Sequence, residues 1–173
     1  MSIWYNQGIK MIDVHCHLEQ KDYEKDRDEV IEKCKKKLKA IVTCCCHPDD
    51  FGLTMDLVKK YKSFVFATFS IHPEFIKEIN EKEIEKFLKK VEENREKIVG
   101  IGETGLDFII EEPEWREKQK ELFLKFISLA KNLKLPLVIH ARKAFAETIE
   151  ILEKFGAKRV LMHFFTAKEL LPR

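Results

Sequence analysis

Six short apolar runs, at residues 11–16, 40–46, 64–69, 98–101, 137–139 and 159–162, alternate with longer stretches whose apolar residues recur at helical spacing. This alternation limits what the chain can fold into more than any other feature. Nearly continuous apolar runs suit strands covered on both faces of a parallel sheet. Strands joined by helix-length crossovers run parallel, with right-handed connections. The helical stretches have their own signals. Val30, Ile31, Cys34 and Leu38 form a stripe within 26–39. Asn80 followed by Glu83 reads as a helix start, ahead of a stripe of Ile84, Phe87, Leu88 and Val91. Pro113 stands where a helix begins, before Gln119, Leu122, Phe123, Phe126 and Ala130. Phe145, Ile149, Leu152 and Phe155 form a last stripe, ended by Gly156. The order βαβαβαβαβαβ leaves two architectures, a doubly wound sheet or a (β/α)₈ barrel. No Gly-x-Gly-x-x-Gly follows the first run, which counts against a dinucleotide-binding fold.

Composition narrows the class. Charged residues make up 36% of the chain and hydrophobic residues 45%, with a net charge of +2, so a soluble globular protein is expected. No apolar run reaches the roughly 18 residues of a membrane span. The opening MSIWYNQGIK lacks the order of a signal peptide. Five cysteines (Cys16, Cys34, Cys44, Cys45 and Cys46) are an odd number, and three of them are consecutive in an apolar run. Their side chains alternate between faces, which points to reduced buried thiols and a cytoplasmic location. The Lys-rich segment 33–39 reads as the solvated face of its helix.

Polar residues cluster where the runs end. In MIDVHCHLEQ, His15 and His17 are two residues apart, with Asp13 on the same parity, so they share a strand face. Ser70, His72 and Pro73 follow the third run. Glu103, Thr104 and Asp107 follow the fourth, His140 and Arg142 the fifth, and His163 the sixth. In a parallel barrel these carboxyl ends meet at one rim, where active sites are built. Five of the six histidines would then converge. His15, His17, Glu103, His140 and His163 form a donor set for a borderline ion such as Zn²⁺, Mn²⁺, Ni²⁺ or Fe²⁺ rather than Ca²⁺. Five ligands exceed the usual three of one catalytic zinc, which points to two ions with Glu103 as a bridge. His47, next to Pro48, is expected only to start a turn.

With these residues in view, the chain resembles the TatD-type metal-dependent hydrolases of the amidohydrolase superfamily. The matching pieces are IDVHCH at 12–17, SIHPEF at 70–75, GIGETGLDF at 100–108, Gln119 with Phe123, LPLVIHAR at 135–142 and HFF at 163–165. The resemblance implies a TIM-type barrel with two divalent ions (Zn, Mn, Mg or Ni) and deoxyribonuclease activity, with DNA or another phosphodiester as substrate. By position it implies that His15, His17 and Glu103 hold one metal, that Glu103, His140 and His163 hold the second, and that His72 and Arg142 line the phosphate site. Glu103, His72 and Arg142 are thus the expected catalytic residues. Phosphodiester hydrolysis needs a nucleophile at neutral pH and a counter-charge, and a metal-activated water with Arg142 would meet both needs.

At roughly 31 residues per βα unit, 173 residues make about five and a half units. The expectation is therefore an incomplete barrel over 11–173, with strands seven and eight missing, preceded by an N-terminal extension at 1–10. The resemblance also implies a late Glu-Thr-Asp segment with a catalytic aspartate, and no Asp follows Asp107. Two further readings follow: a truncated metal-binding relative without turnover, and a metal-dependent hydrolase of a different small ester or amide. Open sheet edges invite pairing, so a homo-oligomer or a complementing chain is expected to cover them.

Overall fold

The computed structural model describes residues 11–170; the expected extension at 1–10 lies outside the described residues. The six strands are β1 (Met11–Cys16), β2 (Leu38–Cys45), β3 (Val65–Phe69), β4 (Gly100–Asp107), β5 (Leu137–Arg142) and β6 (Val160–Met162). They form one sheet in sequence order, and every neighbouring pair is parallel. Five helices connect them: α1 (Arg27–Lys35), α2 (Phe51–Lys60), α3 (Glu81–Glu93), α4 (Pro113–Leu133) and α5 (Phe145–Lys154). The fold is an incomplete α/β barrel, one of the two architectures the alternation of runs leaves open and the one the resemblance implies.

The curl of the sheet can be measured between its ends. Six flat strands would set the first and last roughly 24 Å apart at about 4.8 Å per step. Yet the rings of His15, on β1, and His163, just past β6, stack with centroids 3.7 Å apart. Curvature therefore carries the two edge strands toward each other at the carboxyl rim.

Parity divides the side chains between two layers. Ile41 and Cys45 of β2, Val65, Ala67 and Phe69 of β3, and Leu137 and Ile139 of β5 pack under the helices. Cys44, Cys46 and Val138 form a small cluster on the other, concave face. The helix layer supplies most of the buried apolar surface, the dominant favourable term in folding. In α3, Ile84, Phe87 and Val91 are buried, and the predicted capping box is present: Glu83 N–H donates to Asn80 and Asn80 N–H to Glu83. Pro113 opens α4, and Gly156 follows α5 with φ +64°.

Several features differ from the sequence reading, among them β5, which runs to Arg142 and so contains His140. The stripe ending at Leu38 suggests a helix to 39, but α1 stops at Lys35 because Leu38 joins β2, opposite Met11 of β1. β4 runs to Asp107 rather than ending at 101, so Glu103 and Thr104 lie within the strand. The glycines of GIGETG permit close contact within the sheet. Gly102 and Gly105 have φ of +153° and +144°, and a Cβ at either would collide with β5 backbone, at Val138 and His140. Finally, β1 is not covered on both faces, since Ile12 and Val14 are 50% and 45% exposed. All five cysteines are free, as expected.

Candidate active site

Glu103 is the hub. The irregular register between Ile101 and Thr104 lies where β4 passes β5, and it leaves the Glu103 carboxylate buried on the concave face. Four imidazoles surround that carboxylate. His140 Nδ1 lies 2.9 Å from Oε1, and His72 Nε2 lies 3.9 Å from the same oxygen. His15 Nε2 and His17 Nε2 lie 3.2 and 3.6 Å from Oε2. His163 completes the set through its stack on His15, and one donor atom from each of His15, Glu103 and His163 lies within 4.8 Å of the other two. The five histidines singled out in the sequence do meet. Their grouping differs from the pairing carried over by resemblance, since His163 sits with His15, while His140 sits with His72 and Glu103. Arg142 ends β5 and is exposed at the rim. His47 stands apart; its Nδ1 accepts Asp49 N–H and starts a turn, as expected.

A second ring of groups orients the imidazoles. Asp107 Oδ2 lies 3.0 Å from His140 Nε2. The backbone of Asp107 is fixed by the fully buried Gln119 of α4: Oε1 accepts Asp107 N–H at 2.8 Å, and Nε2 donates to Asp107 O at 3.0 Å. The sequence reading missed Glu19, although positions 13, 15, 17 and 19 are all polar with one parity. Glu19 is buried, accepts the Thr43 hydroxyl at 2.6 Å, and lies 3.2 Å from His17 Nδ1. Carboxylates behind imidazoles fix ring orientation and raise ligand basicity, as in metal sites generally.

The electrostatics follow. Burial alone would raise the Glu103 carboxyl, but the facing imidazoles of His140 and His15 hold it well below the usual carboxylate range. Burial works against protonation of His17 and His140, yet the adjacent carboxylates outweigh it and raise both. His72 is pushed down to about 4 by burial and by His140. Its Nδ1 accepts Glu74 N–H, so its proton sits on Nε2.

The donor set fits a divalent cation. His15 Nε2, on a side chain 10% exposed, has no hydrogen-bond partner although it faces a carboxylate oxygen. Buried polar atoms are rarely left unsatisfied, and an imidazole–carboxylate cluster of this kind is a borderline-ion environment.

Residues 12–171 match the family described as TatD related DNase. Human deoxyribonuclease TATDN3 is 34% identical over 171 residues, covering 93% of this chain and 62% of that protein. An uncharacterized metal-dependent hydrolase of Methanocaldococcus jannaschii is 40% identical over 136 residues, covering 79% of this chain and 52% of the relative. The chain thus spans about half to six-tenths of these relatives. Among solved structures, the TatD homologue YjjV of Escherichia coli superposes with TM-score 0.83 at 22% identity, over 91% of this chain and 61% of that one. The fold, the matched residues and the identities together place the chain in the TatD related DNase family.

Proposed function

We propose that this chain is a metal-dependent hydrolase of phosphodiester bonds with DNA as substrate, using two divalent ions drawn from Zn²⁺, Mn²⁺, Mg²⁺ and Ni²⁺. The observation that carries this reading is one buried carboxylate, Glu103, faced by four imidazole nitrogens within 3.9 Å. When bound, such ions supply Lewis acidity and an acidified water.

The chain's own residues supply the rest. Glu103 stays ionised at neutral pH and offers both oxygens, with His15, His17 and His163 toward one side and His140 toward the other. Glu19 and Asp107 hold the rings of His17 and His140 in register. His72, neutral with its proton on Nε2, can donate to a phosphoryl oxygen. Arg142, at the rim, offers a planar fork that suits a second phosphate contact. Contacts of this type read phosphate rather than bases, so little sequence selectivity follows. Among the described residues no helix is long and apolar enough to cross a membrane. The exposed apolar residues of β1 favour a second copy or a complementing chain at that edge.

The test is cleavage of end-labelled DNA with Mn²⁺ or Mg²⁺. Metal-dependent shortening is expected, falling by about 100-fold or more in Glu103→Gln and His15→Ala, the scale on which transition-state charge stabilisers act. Bound metal without cleavage of DNA would instead favour metal binding without turnover, or a small ester or amide as substrate.

A further inference from the structure

Cys46 immediately follows β2, on the same parity as Cys44, and so faces the concave side of the sheet. Cys45, between them, packs under the helices. The Cys46 thiol lies beside the His17 ring, 3.8 Å from Nδ1, and donates to Cys44 O at 3.3 Å; Nδ1 is held by Glu19 and Cys44 O, so the nitrogen His17 offers to a cation is Nε2, 3.6 Å from Glu103 Oε2. One donor atom from each of His17, Cys46 and Glu103 lies within 4.8 Å of the other two. Tetrahedral zinc with sulfur and nitrogen ligands at about 2.3 and 2.1 Å sets its donors about 3.5 Å apart, so three donors within 4.8 Å of one another would close on such an ion with side-chain shifts of about an ångström. A second observation points the same way: the unpartnered His15 Nε2 aims at Glu103 Oε2, the oxygen that His17 also faces.

We propose that Cys46 is a thiolate ligand in the cation site on the β1 side of Glu103, together with His17 and Glu103. This extends the cation reading given above and rests on it. Binding replaces the S–H bond of Cys46 with a sulfur–metal bond and releases one proton to solvent. A sulfur donor biases the site toward thiophilic ions such as Zn²⁺, Co²⁺ and Cd²⁺ and away from Mg²⁺. The two cation positions around Glu103 would then differ in kind, one with a sulfur ligand and one with only imidazole and carboxylate.

The experiment loads the full chain with Co²⁺ and records absorption, with bound metal counted by elemental analysis. A sulfur-to-cobalt charge-transfer band in the near ultraviolet is expected. It should vanish in Cys46→Ser and persist in Cys45→Ser. Cobalt bound without that band, or a band that survives in Cys46→Ser, overturns the role of Cys46 and leaves the imidazole–carboxylate site standing. A band lost in Cys44→Ser but kept in Cys46→Ser reassigns the sulfur and equally overturns the proposal. No bound cobalt overturns both the Cys46 role and the cation reading. If Cys46→Ser does not fold, cadmium-113 NMR of the unaltered chain decides: a resonance shifted downfield, as one sulfur ligand produces, supports the proposal, and a nitrogen–oxygen shift overturns it.

Discussion

The inner strands and the edge strands of this sheet are equally apolar in sequence and differ sharply in what covers them. Phe69 of β3, Ile101 of β4 and Ile139 of β5 are fully buried. On β1, Met11, Ile12 and Val14 are 69%, 50% and 45% exposed, and Val160 of β6 is 36% exposed. The difference comes from neighbours, since an inner strand has a partner on each side and helices over its outer face. The candidate site draws on both kinds of strand. Glu103 and His140 stand on the well-packed interior, while His15, His17 and His163 come from the uncovered edges. A rigid centre thus holds the hub, and the least supported strands deliver three of the imidazoles.

The largest effect expected from this contrast lies in the interior. Phe69→Ala removes a fully buried ring that packs on Phe51 at 4.7 Å between centroids. It should cost about 3–5 kcal/mol in urea unfolding, the range for large-to-small core changes at buried aromatics. A cost near that of an edge substitution would erase the contrast. Gly105→Ala comes next, at about 3 kcal/mol or more, because the new methyl meets the His140 carbonyl and the backbone sits at φ +144°. Its effect should reach the site as well, since His140 itself must shift.

A cation should act on the edges in the opposite sense. An ion held by His15 and His163 joins β1 to β6, so its binding energy becomes stability. At about 100 times Kd the gain is about 2.7 kcal/mol, read as a rise in Tm with Zn²⁺ or Mn²⁺. His163→Ala should remove much of that rise and leave the amides of Leu161 and residue 163, on the side of β6 that pairs with β5, unprotected in hydrogen exchange. An unchanged rise in His163→Ala would mean that β6 is not tied to the site.

How far the sequence foretells this depends on the physical scale of each feature. The strands, the capping box at Asn80 and Glu83, and Pro113 at the start of α4 are local and were legible from spacing alone. The convergence of five histidines was legible because all of them lie at or just past the carboxyl ends of strands, although β5 extends through Arg142 and so contains His140, and parallel topology fixes where those ends go. Three features were not legible. Nothing local marks Gly102 and Gly105 as packing residues, and only the proximity of β5 shows that they permit close approach to β4. Glu19 lies past the end of β1, and its burial depends on Thr43, 24 residues away. The exposure of Ile12 and Val14 depends on what lies beside β1, which no pattern within β1 can report.

The smallest expected effect is the one that best probes the edges. Val14 lies on the face of β1 opposite His15 and is 45% exposed, so Val14→Ala removes two methyls that are only partly withdrawn from water. In the isolated chain it should cost under about 0.5 kcal/mol, the usual size for surface substitutions. If a second copy or a complementing chain covers β1, the same residue is buried in that assembly. The cost then rises toward about 1–2 kcal/mol at high protein concentration and shrinks on dilution, because association adds to stability by mass action. Unfolding of both variants across a range of concentrations, with sedimentation to follow mass, separates the two cases. A cost that stays small at every concentration, in a species that sediments as a monomer, would show that the edge of β1 stands without a partner and that the sheet tolerates it.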